Sequence, residues 1–426
     1  MKNSTLFTHS AIALAILFVT ASCGEKKKTE EPVQKSLEVL VEEENDAEYG
    51  SSKTTYTYDS EGRLLTKKET YTNGEAPTTF TYTYDSAGRM LSEADSFYGN
   101  QPYTTNYQYN DKGDTLCVVV EYEDEENGQR VIDMKKVYTY DSAGNKTHVY
   151  IYHSTPGESE YADYAYLIIK NSYDKDGRLT HSVGYDLDYT KEFTFSRLSI
   201  LKAMSANPEQ EFNDLIGQSL IGPPHHTDYI YKNGRVAESH SYVDGDGVEK
   251  QESRTTYQYD AQGNLLKEHQ KSEDWELSTT NTYDSEGRQL TCLLDWGEGS
   301  GRKSKATLNE KGDTLMLVES ILSEDNPEQT VIKTINEFRE DGSLKATYIF
   351  ANEDELGHDE YGAQVLKYNE KGQIISRIQY ISNDYEHVPL INQDKPADPE
   401  KAINEHVEKY QMKKYQSIKY KYATLK

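Results

Sequence analysis

Short runs in which tyrosine alternates with a polar residue recur along most of this chain. The first is Tyr56-Thr57-Tyr58, followed by the turn-like segment Asp59-Ser60-Glu61-Gly62. Successive side chains of a strand point to opposite faces, so the two tyrosines share one face. Aspartate can cap the turn backbone, and glycine three residues later can adopt the left-handed conformation of a hairpin loop. Each unit predicts strand, tight turn and strand. The predicted turn residues are Asp59, Gly62, Asp85, Gly88, Asp141, Gly144, Asp174, Gly177, Asp260, Gly263, Asp284 and Gly287.

The glycines that mark the turns indicate a repeat protein. They recur every 24 to 33 residues, apart from one gap of 57 between Gly177 and Gly234. A period in this range is typical of units that pack mainly on their neighbours. Second turns such as Asn73-Gly74 lie between the marked ones, so each period holds about two strands. The predicted fold class is all-β: an extended or curved antiparallel β-meander of repeated hairpins, with a short partly helical insert and a C-terminal cap.

The turn chemistry also predicts a register. The residues that flank each three-residue loop, such as Asp59 and Arg63, are expected to face each other, and no such pair opposes like charges. The same pairing places Cys117 opposite Tyr107 on the tyrosine face and Cys292 opposite a residue of the other face. Because the two cysteines also lie several repeats apart, we expect no disulfide between them.

The repeated unit resembles a known family. Its pattern, Tyr-x-Tyr-Asp-x-x-Gly-Arg/Asn-Leu, is similar to the YD repeats of Rhs and teneurin-like proteins, over roughly residues 51–382. In large members of that family the repeats wind into a hollow β shell around a cargo or toxin domain. The resemblance therefore implies a β-repeat fold and a cell-envelope setting. This chain lacks the family's aspartate-proline-x-glycine cleavage core, so the resemblance implies no catalytic residue.

The first residues resemble a bacterial lipoprotein signal peptide, predicted to span residues 1–22. Lys2 precedes an apolar stretch too short to span a bilayer, and small residues precede Cys23. We expect Cys23 to carry a diacylglycerol and an acyl chain such as palmitate, which together give a stable anchor. Gly24 favours the outer membrane of a Gram-negative bacterium, with surface exposure left open. The alternative is an ordinary secretory signal in which Cys23 is incidental.

The rest of the chain divides by composition. A charged stretch poor in aromatic residues predicts a flexible tether. Helical spacing and prolines predict the insert, which either carries a specific function or covers a join between two arrays. Asp398-Pro399-Glu400 indicates a helix start, and the lysine-rich strand after it is expected to protect an open sheet edge. The segments are the lipidated cysteine and tether at 23–50, the first array at 51–190, the insert at 191–228, the second array at 229–385 and the cap at 386–426.

Tyrosine outnumbers phenylalanine by 36 to 9. A thin sheet explains this excess, because a tyrosine ring packs across strands while its hydroxyl reaches water. The alternative is that the rings form a platform for a ligand such as a glycan. The candidate ligand-facing aromatics are Tyr56, Tyr58, Tyr82, Tyr84, Tyr257 and Tyr259.

Charge and motifs narrow the possible functions. A formal net charge of −27 argues against nucleic-acid binding. His225-His226 with Asp228, and the acidic stretches Glu121 to Glu126 and Asp244 to Gly247, come nearest to metal-binding patterns. Exposed loops in an acidic protein explain them as well, so we expect no metal and no cofactor. No nucleophile elbow, phosphate loop or dinucleotide fingerprint occurs in the sequence.

The leading hypothesis is a monomeric, non-enzymatic envelope lipoprotein whose repeat sheet is a binding or scaffold module for protein or glycan. A second hypothesis is a shell or partner component of a polymorphic-toxin-like system. A third is an enzyme with a site near residues 191–228.

Overall fold

The computed structural model describes most of the repeat region and both ends of its sheet. The signal peptide, Cys23 and most of the predicted tether and insert lie outside the described residues. Those described are 37–48, 50–96, 102–124, 128, 130–153, 164–186, 224–245, 248–324, 328–351, 362–382 and 396–425.

The described residues form 24 strands and one helix, α1 (Pro399–Lys409). The first twelve strands are β1 (Glu38–Ala47), β2 (Gly50–Tyr58), β3 (Leu64–Tyr71), β4 (Thr78–Tyr84), β5 (Met90–Ser96), β6 (Tyr103–Tyr109), β7 (Thr115–Glu123), β8 (Arg130–Tyr140), β9 (Lys146–His153), β10 (Tyr164–Tyr173), β11 (Leu179–Asp186) and β12 (His225–Lys232). The others are β13 (Arg235–Gly245), β14 (Val248–Tyr259), β15 (Leu265–Ser272), β16 (Glu276–Tyr283), β17 (Gln289–Gly297), β18 (Ser300–Leu308), β19 (Thr314–Leu322), β20 (Gln329–Phe338), β21 (Leu344–Ala351), β22 (Gly362–Tyr368), β23 (Ile374–Ile381) and β24 (Lys413–Thr424).

The all-β, antiparallel prediction is confirmed, but the sheet is closed and is not an open meander. Each strand pairs with the strands before and after it in the chain, and β24 pairs with both β23 and β1. The result is a closed 24-stranded antiparallel barrel. An open edge would leave a row of unpaired N–H and C=O groups, and closure removes both edges.

The seam between β1 and β24 shows why the predicted tether was too long. β1 is rich in acidic residues and β24 in lysine, and Lys421 and Lys414 lie 3.9 and 3.7 Å from Glu42 and Asp46. Considered without the rest of the chain, residues 23–50 are only a charged segment with no evident partner strand. The complementary strand that orders Glu38–Ala47 lies at the far end of the sequence.

The same seam changes the interpretation of the C-terminal segment. Residues 386–426 were predicted to cap an open edge, whereas β24 is a strand of the ring itself. Likewise, the two predicted arrays are one continuous sheet, because β11 and β12 pair directly, with His181 opposite Asp228. The long gap between turn glycines therefore does not interrupt the ring.

The predicted cross-strand partner of each cysteine is wrong by one residue. Tyr109 faces Thr115, but Gln108 faces Cys117, so Leu116 is an extra residue in the strand after the turn. The same irregularity makes Asn281 the partner of Cys292. A one-residue shift moves a side chain to the other face of the sheet. Cys117 therefore lies on the face that does not carry the motif tyrosines. Both cysteines are free.

The sheet has two chemically different faces. The tyrosine face carries the motif tyrosines, and on β2 it also buries Ser52 and Thr54. The threonine face carries the residue between the two tyrosines, and there Thr57 and Thr66 hydroxyls lie 2.7 Å apart across strands. One buried cluster of the threonine face lies near α1, which packs on β21 and β22. This cluster comprises Ile335, Ala346, Tyr348, Phe350, Ala363, Val365, Ile403 and Met412.

Candidate binding surfaces

The motif aspartate organises each turn. In the second unit, Asp85 Oδ1 accepts hydrogen bonds from the Ala87 and Arg89 backbone N–H groups, both at 2.9 Å. The Arg89 guanidinium donates to Asp85 Oδ2 at 2.6 Å. These donors, the Arg89 backbone N–H above all, lower the pKa of the Asp85 carboxyl. Gly88 has φ +82°, the left-handed conformation expected at this position.

The second tyrosine of the motif links one repeat to the repeat before it. Tyr84 donates from its hydroxyl to the Leu64 carbonyl at 2.9 Å, and the Arg63 guanidinium lies 5.2 Å from the centre of its ring. Arg89 lies over Tyr109 in the same way at 4.8 Å. Further hydroxyl-to-carbonyl bonds of this kind run from Tyr58, Tyr109, Tyr140, Tyr173, Tyr231, Tyr283 and Tyr422 to Leu40, Met90, Thr115, Lys146, Leu179, Leu265 and Ile374.

We call these hydroxyl-to-carbonyl hydrogen bonds the tyrosine ladder. They distinguish the second tyrosine of a motif from the first among the six candidate aromatics. Tyr58 and Tyr84 use their hydroxyls within the sheet, and Tyr259 lies under the Arg235 guanidinium at 5.6 Å. Tyr56 and Tyr82, at the first position, are half-buried, and burial raises the pKa of each phenol. The six tyrosines lie on β2, β4 and β14.

A polar cavity of about 330 Å³ opens on the threonine face between β5 and β8. The amide side chains of Asn106 and Gln108 come from β6, and Cys117 and Val119 lie opposite them on β7. Leu91 lines one side. A volume of this size accommodates a small polar ligand.

The cavity holds buried charge. Glu121 and Lys135 are each only 2% exposed. The Arg130 guanidinium and the Asn106 amide both contact the Glu121 carboxylate. A buried carboxylate needs such partners, because water no longer solvates it. With Gln108, these groups offer donors and acceptors to the hydroxyls or carboxylate of a bound molecule.

A second cavity, of about 350 Å³, lies between β10 and β14. His225 lines it, with its Nε2 3.7 Å from the Asp186 carboxylate. Nearby, His181 Nδ1 lies 2.6 Å from Asp228, and His226 stacks on Tyr242 at 4.7 Å. The strand alternation separates His225 from His226, so the adjacent histidines do not converge on one point. Among the residues described, no three His, Cys, Asp or Glu side chains are arranged to hold a metal ion.

The two acidic stretches that come nearest to metal-binding patterns in the sequence are described only in part. Glu121 lies in β7 and points into the first cavity, while residues 125–127 and 246–247 lie outside the described part of the chain. The described residues hold no helix whose length and hydropathy would let it span a bilayer.

Sequence reasoning missed the two tryptophans. Trp275 lies in the turn between β15 and β16, and Trp296 lies at the end of β17, beside the turn to β18. They are the only tryptophans of the chain, and their side chains are 48% and 51% exposed. The sequence could have revealed them, because each tryptophan is a rare, bulky aromatic residue within a turn segment that is rich in acidic residues.

No family model and no curated protein sequence matches the chain. Among solved structures, it is similar to a crystal structure of TcdB2-TccC3-Cdc42, with 12% identity and a TM-score of 0.27, over 78% of this chain and 18% of that one. A Photorhabdus luminescens Tc holotoxin pore gives 14% identity and a TM-score of 0.24, over 77% and 19%. The crystal structure of a porin-like protein from Bacteroides uniformis shows 12% sequence identity and a TM-score of 0.26, and the match covers 69% of this chain and 94% of that one. The chain thus spans about a fifth of the length of the two toxin chains, and TM-scores this low support no argument about fold or function.

Proposed function

We propose that this chain is a non-enzymatic binding scaffold of the cell envelope, anchored to the outer membrane through a lipid on Cys23. The barrel holds the binding groups, and the ligand is a glycan that inserts one sugar unit into the polar cavity between β5 and β8. The lipid anchor rests on the leader sequence, because residues 1–36 lie outside the described structure.

The cavity is the observation that carries the proposal. Its volume suits one or two sugar rings, and its lining combines Asn106 and Gln108 with Glu121 and Arg130. Paired amide and charged groups suit sugar hydroxyls, which both donate and accept hydrogen bonds. The Val119 and Leu91 side chains supply apolar surface for a ring face.

Binding of the signal-less chain to a panel of neutral and acidic glycans, followed by calorimetry on the hits, tests the proposal. Gln108→Ala should weaken binding at least tenfold, because it removes an amide from the cavity wall. Gln258→Ala is the matched control, since Gln258 also lies between two motif tyrosines but outside the cavity. Failure of every glycan to bind, or equal loss in both variants, would contradict the proposal.

Ring closure favours a second candidate, a shell that holds another polypeptide. At about 4.8 Å between strands and the usual strand tilt of about 35–45°, a circular barrel of 24 strands would measure on the order of 45–50 Å across. A ring of that width has room for a folded segment. Purification from native membranes should then yield a stoichiometric second polypeptide, whereas an unaccompanied monomer would count against this role.

A further inference from the structure

The backbones of the two tryptophan-bearing turns come close together at one end of the barrel. A Cβ built on Gly297 would be 3.7 Å from the Glu276 carbonyl oxygen, so the β15–β16 and β17–β18 turns are in contact range. Trp275 and Trp296 immediately precede these two residues. We call residues 271–276 and 295–300 the tryptophan tips.

The tryptophan tips lie at the end of the barrel opposite the motif turns. Strands of this sheet alternate in direction, so the turns that follow β14 and β16 share one end, and those that follow β15 and β17 share the other. Leu37, where the described chain begins, meets Leu425 at the motif-turn end, with a backbone hydrogen bond of 2.9 Å. The described chain therefore begins at the end of the barrel away from the tryptophan tips.

The tips are strongly acidic. They contain five acidic residues and one lysine, which gives a formal charge of −4 over twelve residues. Lys250 and His269 from neighbouring strands contact Glu273 and Glu276, but these acids remain more than half exposed. The acidic residues are Glu273, Asp274, Glu276, Asp295 and Glu298.

Exposed indoles and clustered carboxylates suit one kind of partner. Indole faces attract ammonium and guanidinium groups, and tryptophan is enriched among the residues that dominate protein–protein binding. The carboxylates add charge complementarity and repel acidic partners. A membrane is a poor match, because negatively charged headgroups would face a surface of the same sign.

We propose that the tryptophan tips dock a lysine- and arginine-rich segment of another protein. This surface is distinct from the cavity between β5 and β8, and the inference holds whether or not a glycan binds there. The cations stack on Trp275 and Trp296 and pair with the surrounding carboxylates.

The test uses a synthetic peptide that alternates Lys or Arg with Gly or Ser, titrated against the full signal-less chain. Because Trp275 and Trp296 are the only tryptophans, intrinsic fluorescence reports on the tips directly. We expect a saturable change that weakens with added salt, and no change with the corresponding glutamate peptide.

Variants identify the surface by calorimetry. Trp275→Ala and Trp296→Ala should each weaken peptide binding at least tenfold, and the phenylalanine variants should retain part of it. Tyr103→Ala is the control, because Tyr103 is an exposed aromatic at the edge of another hairpin. Thermal unfolding of each variant checks that the barrel remains folded.

Two results would overturn the inference. One is peptide binding that both alanine variants retain. The other is a basic peptide that fails to bind while vesicles of phosphatidylglycerol or a neutral glycan change the fluorescence of the same tryptophans.

Discussion

The motif glycine is required by its backbone conformation. Gly144 has φ +92°, and a Cβ built there would meet no atom within 4 Å. A substitution at Gly144 therefore measures backbone strain without a steric clash. At Gly312 the two effects would be mixed, because a Cβ there would collide with Arg288. An L-residue in the left-handed region costs roughly 1–2 kcal/mol.

We expect Gly144→Ala to lower the free energy of unfolding by about 1–2 kcal/mol in urea titrations, for this reason. Gly144→Asn should lose less, because asparagine tolerates the left-handed conformation. Gly184→Ala, in β11 without a positive φ, is the control and should be near neutral. Equal losses at both positions would contradict the conformational explanation.

The tyrosine ladder predicts a position effect within one motif. Tyr84→Phe removes the hydroxyl bonded to the Leu64 carbonyl and should cost about 0.5–1.5 kcal/mol, measured by denaturant unfolding. Tyr82→Phe, at the first position of the same motif, is the matched variant and should cost less. The reverse order would show that the ladder does not stabilise neighbouring repeats.

The sequence predicted residue-scale geometry well where it is local. Asp59 and Arg63 pair across their turn, as expected from the loop length, with a 3.0 Å backbone hydrogen bond. The extra residue at Leu116 was not predictable in the same way, because no turn residue marks it. The single shift was enough to move Cys117 to the opposite face.

The helix is the element that depends most on side-chain burial. α1 begins at Pro399, with Asp398 accepting a 2.9 Å hydrogen bond from the Lys401 backbone N–H. Its inner side places His406 edge-on to Phe350, and the imidazole is 6% exposed. Burial, with Lys409 nearby, lowers the pKa of His406 to about 4.

This histidine predicts a pH dependence. Between pH 6.5 and about 4 the unfolded chain protonates His406 and the folded chain does not, so stability falls as the pH falls through that window. We expect a loss on the order of 1–3 kcal/mol from this group. His406→Gln should flatten the decline in thermal unfolding between these pH values, and an unchanged slope would contradict the assignment.

At the scale of elements, local sequence patterns predicted where strands lie better than they predicted which distant strands pair with each other. Asp398-Pro399-Glu400 gave the start of α1, and the tyrosine motif marked the hairpins. The strand character of Glu38–Ala47 was missed, because its five acidic residues favour a strand only beside the lysines of β24. The cavity was equally hidden, since Glu121 and Lys135 come to line one cavity only after β7 and β8 pair.

Closure is a property of the whole molecule. It depends on the twist and curvature summed over 24 strands, which no single repeat encodes. The last strand nevertheless repeats the local rule, because Tyr422 of β24 bonds to the Ile374 carbonyl of β23 as the motif tyrosines bond to theirs, and β24 pairs along its other edge with β1. The ring is therefore continuous in its hydrogen bonding.

Deletion of residues 411–426 tests the role of that continuity. Without β24, β1 and β23 both present unpaired edges, and we expect concentration-dependent association in light scattering. Deletion of the tryptophan-bearing turn residues 273–275, which leaves every strand paired, should keep the chain monomeric. A monomeric protein lacking β24 would contradict the edge argument.

The seam also sets an order of events during synthesis. Glu38 pairs with Thr424, so the first strand made waits for a partner 386 residues later in the chain. Contacts this distant in sequence form slowly, because a long loop must first be closed. Until then β1 can accept strands of other nascent chains, which is a common route to misassembly. A longer delay between the synthesis of β1 and that of β24 therefore leaves the free edge of β1 open to misassembly for longer, although its other edge already pairs with β2.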